Sequence, residues 1–207
     1  MTKNKDWTGN RTTTHAVLGS SNHSELDRAE HDYYATDPVA VDMLGQTGFL
    51  NDINIVWECA AGGGHLVNKL KERGKTVYAS DLYEHGLEGC YSGIDFLSVK
   101  PSEKTEKFDA IITNPPYKYA MEFCEKAIEL CPKVAMFLKL TFLEGAKRYE
   151  FFRKNPPRYV AVCVNRIQCA LNGDEKMFAQ SSAACYAWFI WERGYNGNPE
   201  ILWLTKK

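Results

Sequence analysis

With 207 residues, 25 basic against 26 acidic side chains and a net charge of −1, the chain has room for one domain with a full core and little general attraction for polyanions. Apolar residues make up 44% of it, which argues against global disorder, and no run approaches the roughly 18 apolar residues that cross a bilayer. The N-terminus has no signal-like apolar segment, and the seven cysteines are odd in number without CxxC or His-x-Cys spacing, so a cytoplasmic protein with reduced thiols and no metal is expected.

Residues 1 to 30 are rich in Thr, Asn, Ser, Lys and His without a sustained period and read as a flexible arm, ahead of a single domain over 31 to 207. Asp37 can cap a helix with Pro38 in its first turn, running to about Gly48. The chain then alternates: strand 53 to 58, helix 64 to 73, strand 76 to 80, a short strand near 93 to 96, strand 108 to 113, helix 118 to 131 stopped by Pro132, and strand 134 to 140. Helix 142 to 154 and strand 159 to 165 continue it. An irregular polar stretch over 167 to 182 suits a target-contacting loop. Strands 184 to 191 and 200 to 204 have no helix between them and are expected to pair as an antiparallel hairpin. The whole predicts an α/β fold, a doubly wound and mostly parallel sheet with an antiparallel C-terminal edge. Basic residues gather over 133 to 166, from Lys133 to Arg166, as a candidate basic face or as scattered solvated charges.

The apolar strand at 108 to 113 runs directly into Asn114-Pro115-Pro116-Tyr117. Consecutive prolines donate no backbone hydrogen bonds and hold the preceding residue extended, so the strand must stop with its last groups rigidly displayed. Asn114 Oδ1 and a proline-locked carbonyl form a stiff pair of acceptors, followed by the aromatic face of Tyr117. That combination suits a planar ring or amide bearing an NH2 group.

Upstream, Glu58-Cys59-Ala60-Ala61-Gly62-Gly63-Gly64-His65 joins a strand to its helix. Glycines there let a small molecule approach the backbone, although a tight strand-to-helix corner would use the same residues. The spacing is neither GxGxxG nor a phosphate loop, and a sulfonium cofactor fits it better than a pyrophosphate. Asp81, ending the next strand, can accept from ribose hydroxyls, and Asp95-Phe96 offers a carboxylate for an adenine amino group and a ring for the purine face.

On these residues the chain resembles class I S-adenosylmethionine-dependent methyltransferases, and within them the phage-type DNA N6-adenine methyltransferases. The likeness rests on Asp-Tyr-Tyr-Ala-Thr-Asp-Pro at 32 to 38, Trp-Glu-Cys-Ala-Ala-Gly-Gly-Gly-His-Leu at 57 to 66, Ala-Ser-Asp-Leu at 79 to 82, Gly-Ile-Asp-Phe-Leu at 93 to 97 and Thr-Asn-Pro-Pro-Tyr at 113 to 117. It implies S-adenosyl-L-methionine as cofactor, with Tyr34 and Thr36 near its methionine end and Glu58 supporting the ammonium. Ala60, Gly62 and Gly64 would lie under the cofactor, Asp81 on the ribose, and Asp95 with Phe96 on the adenine. Asn114 and the Pro115 carbonyl would accept the two N6 protons of a flipped adenine, with Pro116 stiffening the loop and Tyr117 stacking on the base. The implied partner is DNA, as a duplex with a flipped adenine or as a single strand, with a possible specificity partner. RNA adenine and a protein glutamine amide are alternative substrates, since each presents a planar NH2. A methyltransferase-fold binding subunit without activity is the alternative of another class.

Overall fold

The computed structural model describes residues 33–171, 173–179, 182 and 184–206. The expected N-terminal arm lies outside them. Strands β1 (Tyr34–Thr36), β2 (Ile55–Glu58), β3 (Thr76–Ala79), β4 (Ala110–Thr113), β5 (Lys133–Lys139), β6 (Tyr159–Cys163), β7 (Cys169–Leu171), β8 (Tyr186–Glu192) and β9 (Glu200–Leu204) are joined by helices α1 (Val39–Gly45), α2 (His65–Glu72), α3 (Ala120–Leu130) and α4 (Ala146–Lys154). Seven strands form one sheet in the order β3-β2-β4-β5-β8-β6-β9, while β1 and β7 make a separate antiparallel pair.

Each helix buries one stripe. In α3, Ala120, Phe123, Cys124, Ala127 and Leu130 recur at helical spacing and face the sheet. Pro132, two residues beyond, prevents continuation. Helices α1 and α2 cover one face of the sheet, and α3 and α4 cover the other. Strands β4 and β5 are buried on both faces, which is why they read as continuous apolar runs.

The last two strands lie antiparallel to each other but are not partners. Strand β8 inserts between β5 and β6, antiparallel to both, and β9 pairs in parallel with β6 at the sheet edge. Burial explains the arrangement. Tyr186 to Trp191 are buried on both faces, so β8 must sit inside the sheet, whereas β9 buries Leu204 and leaves Ile201 and Trp203 in solvent. The expected strand near 93 to 96 is also corrected: an isolated bridge joins Ser80 to Tyr91, and a 3-10 turn follows at Phe96–Ser98. Gly89 and Gly93 take positive φ there, and the Asp95 carboxylate accepts from the Leu97 amide, which favours a turn over a strand.

Trp188 is the largest fully buried side chain, and its indole Nε1 donates to the Ala40 carbonyl at 2.7 Å, tying the sheet to α1. Trp188→Ala is expected to cost about 3 to 5 kcal/mol, seen as a lower denaturation midpoint in urea.

Candidate functional site

Parallel pairing of β2 with β4 sets the glycine turn after Glu58 beside the turn after Thr113 at the same end of the sheet. Asn114, Glu58 and Ala60 line one small cavity together with Tyr34 and Thr36. The first consequence concerns Asn114. Its Nδ2 donates to Thr36 Oγ1 at 2.8 Å and reaches the Tyr34 carbonyl at 3.4 Å. A carbonyl can only accept, so the amide nitrogen must face Tyr34 and Oδ1 must turn away from it. Among the described residues Oδ1 has no donor, although it is buried. An unpaired interior acceptor costs about 1 to 3 kcal/mol, more than an asparagine retained only for packing should carry. Pro115, whose ring has no N–H to give, is buried next to it.

Glu58 is buried at the end of β2, and its Oε1 accepts from the Ala60 amide at 3.1 Å. Burial pushes its carboxyl up to about 8, against the lowering influence of Thr113 and of that amide. At neutral pH it is therefore largely protonated, a state that a nearby cation would reverse. The Thr113 hydroxyl is buried and, by geometry, has no hydrogen-bond partner among the described residues. Gly62 and Gly64 take φ of 51° and 87°, values that ordinary side chains avoid. Asp81 holds this turn: Oδ2 accepts from the Gly62 amide at 2.8 Å and Oδ1 from the Tyr83 amide at 2.9 Å. Its role at the turn is thus structural, and His85 Nε2 lies 3.8 Å from Oδ1.

Tyr33 was not among the residues singled out by sequence. Its hydroxyl accepts from the Gly63 amide at 2.8 Å, and its ring lies so close to Gly62 that a Cβ there would collide with it. The ring also lies tilted against His85, with centroids 4.3 Å apart, and abuts Gly173. In this arrangement the cavity beside Asn114 holds only about 20 Å³, room for a water and not a nucleoside. The β1–β7 pair positions Tyr33, and no local pattern betrays it, because Tyr34 to Thr36 meet Cys169 to Leu171 across the length of the chain.

Tyr117 is tied down as well. Its ring packs on Tyr34 with centroids 5.1 Å apart, its hydroxyl meets that of Tyr186 at 2.7 Å, and Lys139 Nζ lies 4.3 Å from its ring centre. Tyr186 and Lys139, cross-strand neighbours on β8 and β5, were also missed; an aromatic and a lysine at strand ends carry no distinguishing local signal.

One predicted position needs correction. Phe96 is 2% exposed, with its ring centroid 5.2 Å from that of Trp57 and 5.0 Å from that of Phe123, so it belongs to the core and offers no face to a purine. Asp95 is exposed and caps the turn at Phe96–Ser98. The stretch at 167 to 182 is not wholly irregular either: β7 and a 3-10 turn at Glu175–Ala179 fold back on the glycine turn, where Phe178 meets His65 edge to face. Asn172, Gln180 and Ser181 of that stretch lie outside the described residues. Trp188, Phe189 and Trp191 are buried in the core. A larger cavity of about 210 Å³ lies at the opposite end of the sheet, lined by Pro132, Trp191 and Arg193, and contains none of the predicted site residues.

No protein-family model and no curated protein sequence matches the chain. Its architecture, however, is shared with solved structures. A candidate hemolysin from Lactococcus lactis aligns with a TM-score of 0.56 at 10% identity, over 79% of this chain and 91% of that one. A candidate RNA methyltransferase from Pyrococcus horikoshii aligns at 0.51 and 16%, over 74% and 82%. The 23S rRNA methyltransferase ErmE aligns at 0.51 and 17%, over 78% and 70%. At such identities the likeness concerns the fold, and that fold is the Rossmann-like methyltransferase fold. Within it, the Asn114 turn and the glycine turn occupy the same end of the sheet. No helix among the described residues is long and apolar enough to cross a membrane.

Proposed function

We propose that the chain transfers the methyl group of S-adenosyl-L-methionine to the exocyclic N6 amino group of adenine in DNA, with the base turned out of its stack. The observation that carries this reading is the buried Asn114 Oδ1, held in place by Thr36 and Tyr34 and lacking a donor of its own. An amino group supplies what that acceptor lacks. With the Pro115 carbonyl as second acceptor, both N6 protons are drawn toward fixed oxygens, which favours a pyramidal nitrogen with its lone pair available. The gain comes from proximity and electrostatic preorganisation. Tyr117 offers a stacking partner worth about 1 to 3 kcal/mol against the cost of unstacking the base.

The glycine turn and Glu58 fit the cofactor's chemistry: a backbone free of side chains at Gly62 and Gly64, a carboxylate at Asp81, and a buried carboxyl at Glu58 that an ammonium would ionise. When bound, the sulfonium supplies an electrophilic methyl carbon. Tyr33 must leave its place over Gly62 to admit a ligand of that size. Accordingly Tyr33→Ala is expected to tighten S-adenosylmethionine binding by about tenfold, the closed population no longer competing, in titration calorimetry. Unchanged or weaker binding would mean that the ring is part of the bound site.

RNA adenine is a second reading, favoured by the structural likeness to proteins described as RNA methyltransferases. Labelled cofactor is incubated separately with duplex DNA, single-stranded DNA, RNA and protein extract, followed by nucleoside and peptide mass analysis. N6-methyladenine in DNA is the expected product. Methyl groups appearing only in RNA or on glutamine would move the substrate. No product anywhere, with no thermal stabilisation by the cofactor, would leave a binding subunit without activity.

A further inference from the structure

Strand β9 carries the most exposed large apolar side chains of the described residues, Ile201 at 61% and Trp203 at 68%. Their parallel partners on β6 are Val160 and Val162, so both side chains lie on the face that α4 covers further in. In a parallel ladder alternate residues direct both backbone groups to one neighbour. Glu200 donates to Arg158 and Leu204 accepts from Val164, so Glu200, Leu202 and Leu204 face β6. Ile201 and Trp203 therefore turn their N–H and C=O groups to the open side, as does Thr205. The Gln46 side chain occupies both backbone groups of Thr205, donating to its carbonyl at 2.7 Å and accepting from its amide at 3.3 Å. Among the described residues, what remains is a window of two residues with open backbone groups and exposed apolar side chains.

We propose that this edge pairs with a second copy of the chain, antiparallel about a two-fold axis through Leu202. That register sets Ile201 opposite the partner's Trp203 and Trp203 opposite the partner's Ile201, both as hydrogen-bonded pairs, and forms four strand hydrogen bonds. It uses neither backbone group that Gln46 already holds. A two-fold axis one residue further on would require them. Charge favours the same orientation: Glu200 starts the strand and Lys206, whose Nζ also lies 3.5 Å from Asp37 Oδ2, follows its end, so antiparallel pairing brings each Glu200 toward the partner's Lys206, whereas parallel pairing sets like against like. The contact joins two seven-stranded sheets with their α4 faces on the same side. With four strand hydrogen bonds and two apolar side chains from each copy the contact is small, so the dimer forms and dissociates with concentration.

Sedimentation velocity on the full chain across a dilution series tests this. The wild type is expected to move from one chain toward two as concentration rises, and Trp203→Lys and Ile201→Lys to remain single chains with unaltered melting temperature, both side chains being exposed in the monomer. Leu202→Cys, at the two-fold axis, is expected to oxidise to a disulfide-linked dimer joined at residue 202 by peptide mapping. A wild type that stays monomeric throughout overturns the proposal, as do dimers that survive both lysine substitutions or cross-links that map to Cys185. Dilution-independent hydrogen-exchange protection of the Ile201 and Trp203 amides would overturn it too, by assigning the edge to another part of the same chain.

Discussion

Asn114→Ala is expected to lower methyl transfer to adenine by at least about a hundredfold while S-adenosylmethionine binds within about threefold of wild type. The magnitude follows from losing one of two fixed groups aimed at the reacting centre. Asn114 also ties Thr36 and the Tyr34 carbonyl, so part of any loss could come from loosening β1. Thr36→Val separates the two effects. It keeps the acceptor and removes its anchor, and a loss of about tenfold, smaller than that of Asn114→Ala, is expected from an amide that is present but imperfectly aimed. Single-turnover rates with saturating cofactor, alongside cofactor titrations, check both variants. Equal turnover by Asn114→Ala and wild type would remove the asparagine from the chemistry.

Glu58 gives the second large effect, in pH dependence. Its folded carboxyl is pushed up to about 8 from an ordinary 4.5, chiefly by burial, so the folded chain holds a proton that the unfolded chain has released across that window. Stability from this group is fully present below about 4.5 and is lost as pH rises through 8. The ligand-free protein should accordingly lose a few kcal/mol of stability between pH 5 and 8, and Glu58→Gln should flatten that slope and melt higher than wild type at pH 8. A cofactor ammonium has the opposite preference, because it favours the ionised carboxylate. Cofactor affinity of the wild type should thus rise with pH up to about 8, with proton release on binding, while the Gln variant binds more weakly and without that release. Thermal melts from pH 5 to 9 and calorimetry in buffers of different ionisation enthalpy read these quantities. Parallel melting curves for the two proteins would contradict the buried neutral carboxyl.

These effects depend on both short-range and long-range features of the chain. Sequence alone determined the elements whose causes are local: the stripe of α3 and its stop at Pro132, the apolar strands β4 and β5, the glycine turn after Glu58, and the rigid display of Asn114 by two prolines. Each depends on residues a few positions apart, through dihedral limits and burial period. From the alternation of strands and helices the parallel sheet also follows, and with it the meeting of the two turns at one end.

Only the tertiary structure decided what lies across from them. Thr36 reaches Asn114 over a separation of 78 residues, Tyr33 covers Gly62 because β1 pairs with β7, and Tyr186 meets Tyr117 because β8 entered the sheet beside β5. Phe96 went into the core, although its sequence neighbours resemble a ligand-facing loop, because Trp57 and Phe123 offered it more apolar contact than solvent could. Strand β8 became central and β9 the edge for the same reason: the strand with two apolar faces loses least by being enclosed. Such choices compare the burial available to whole segments at once, and a local pattern records the preference of one segment without the competing offers of the others.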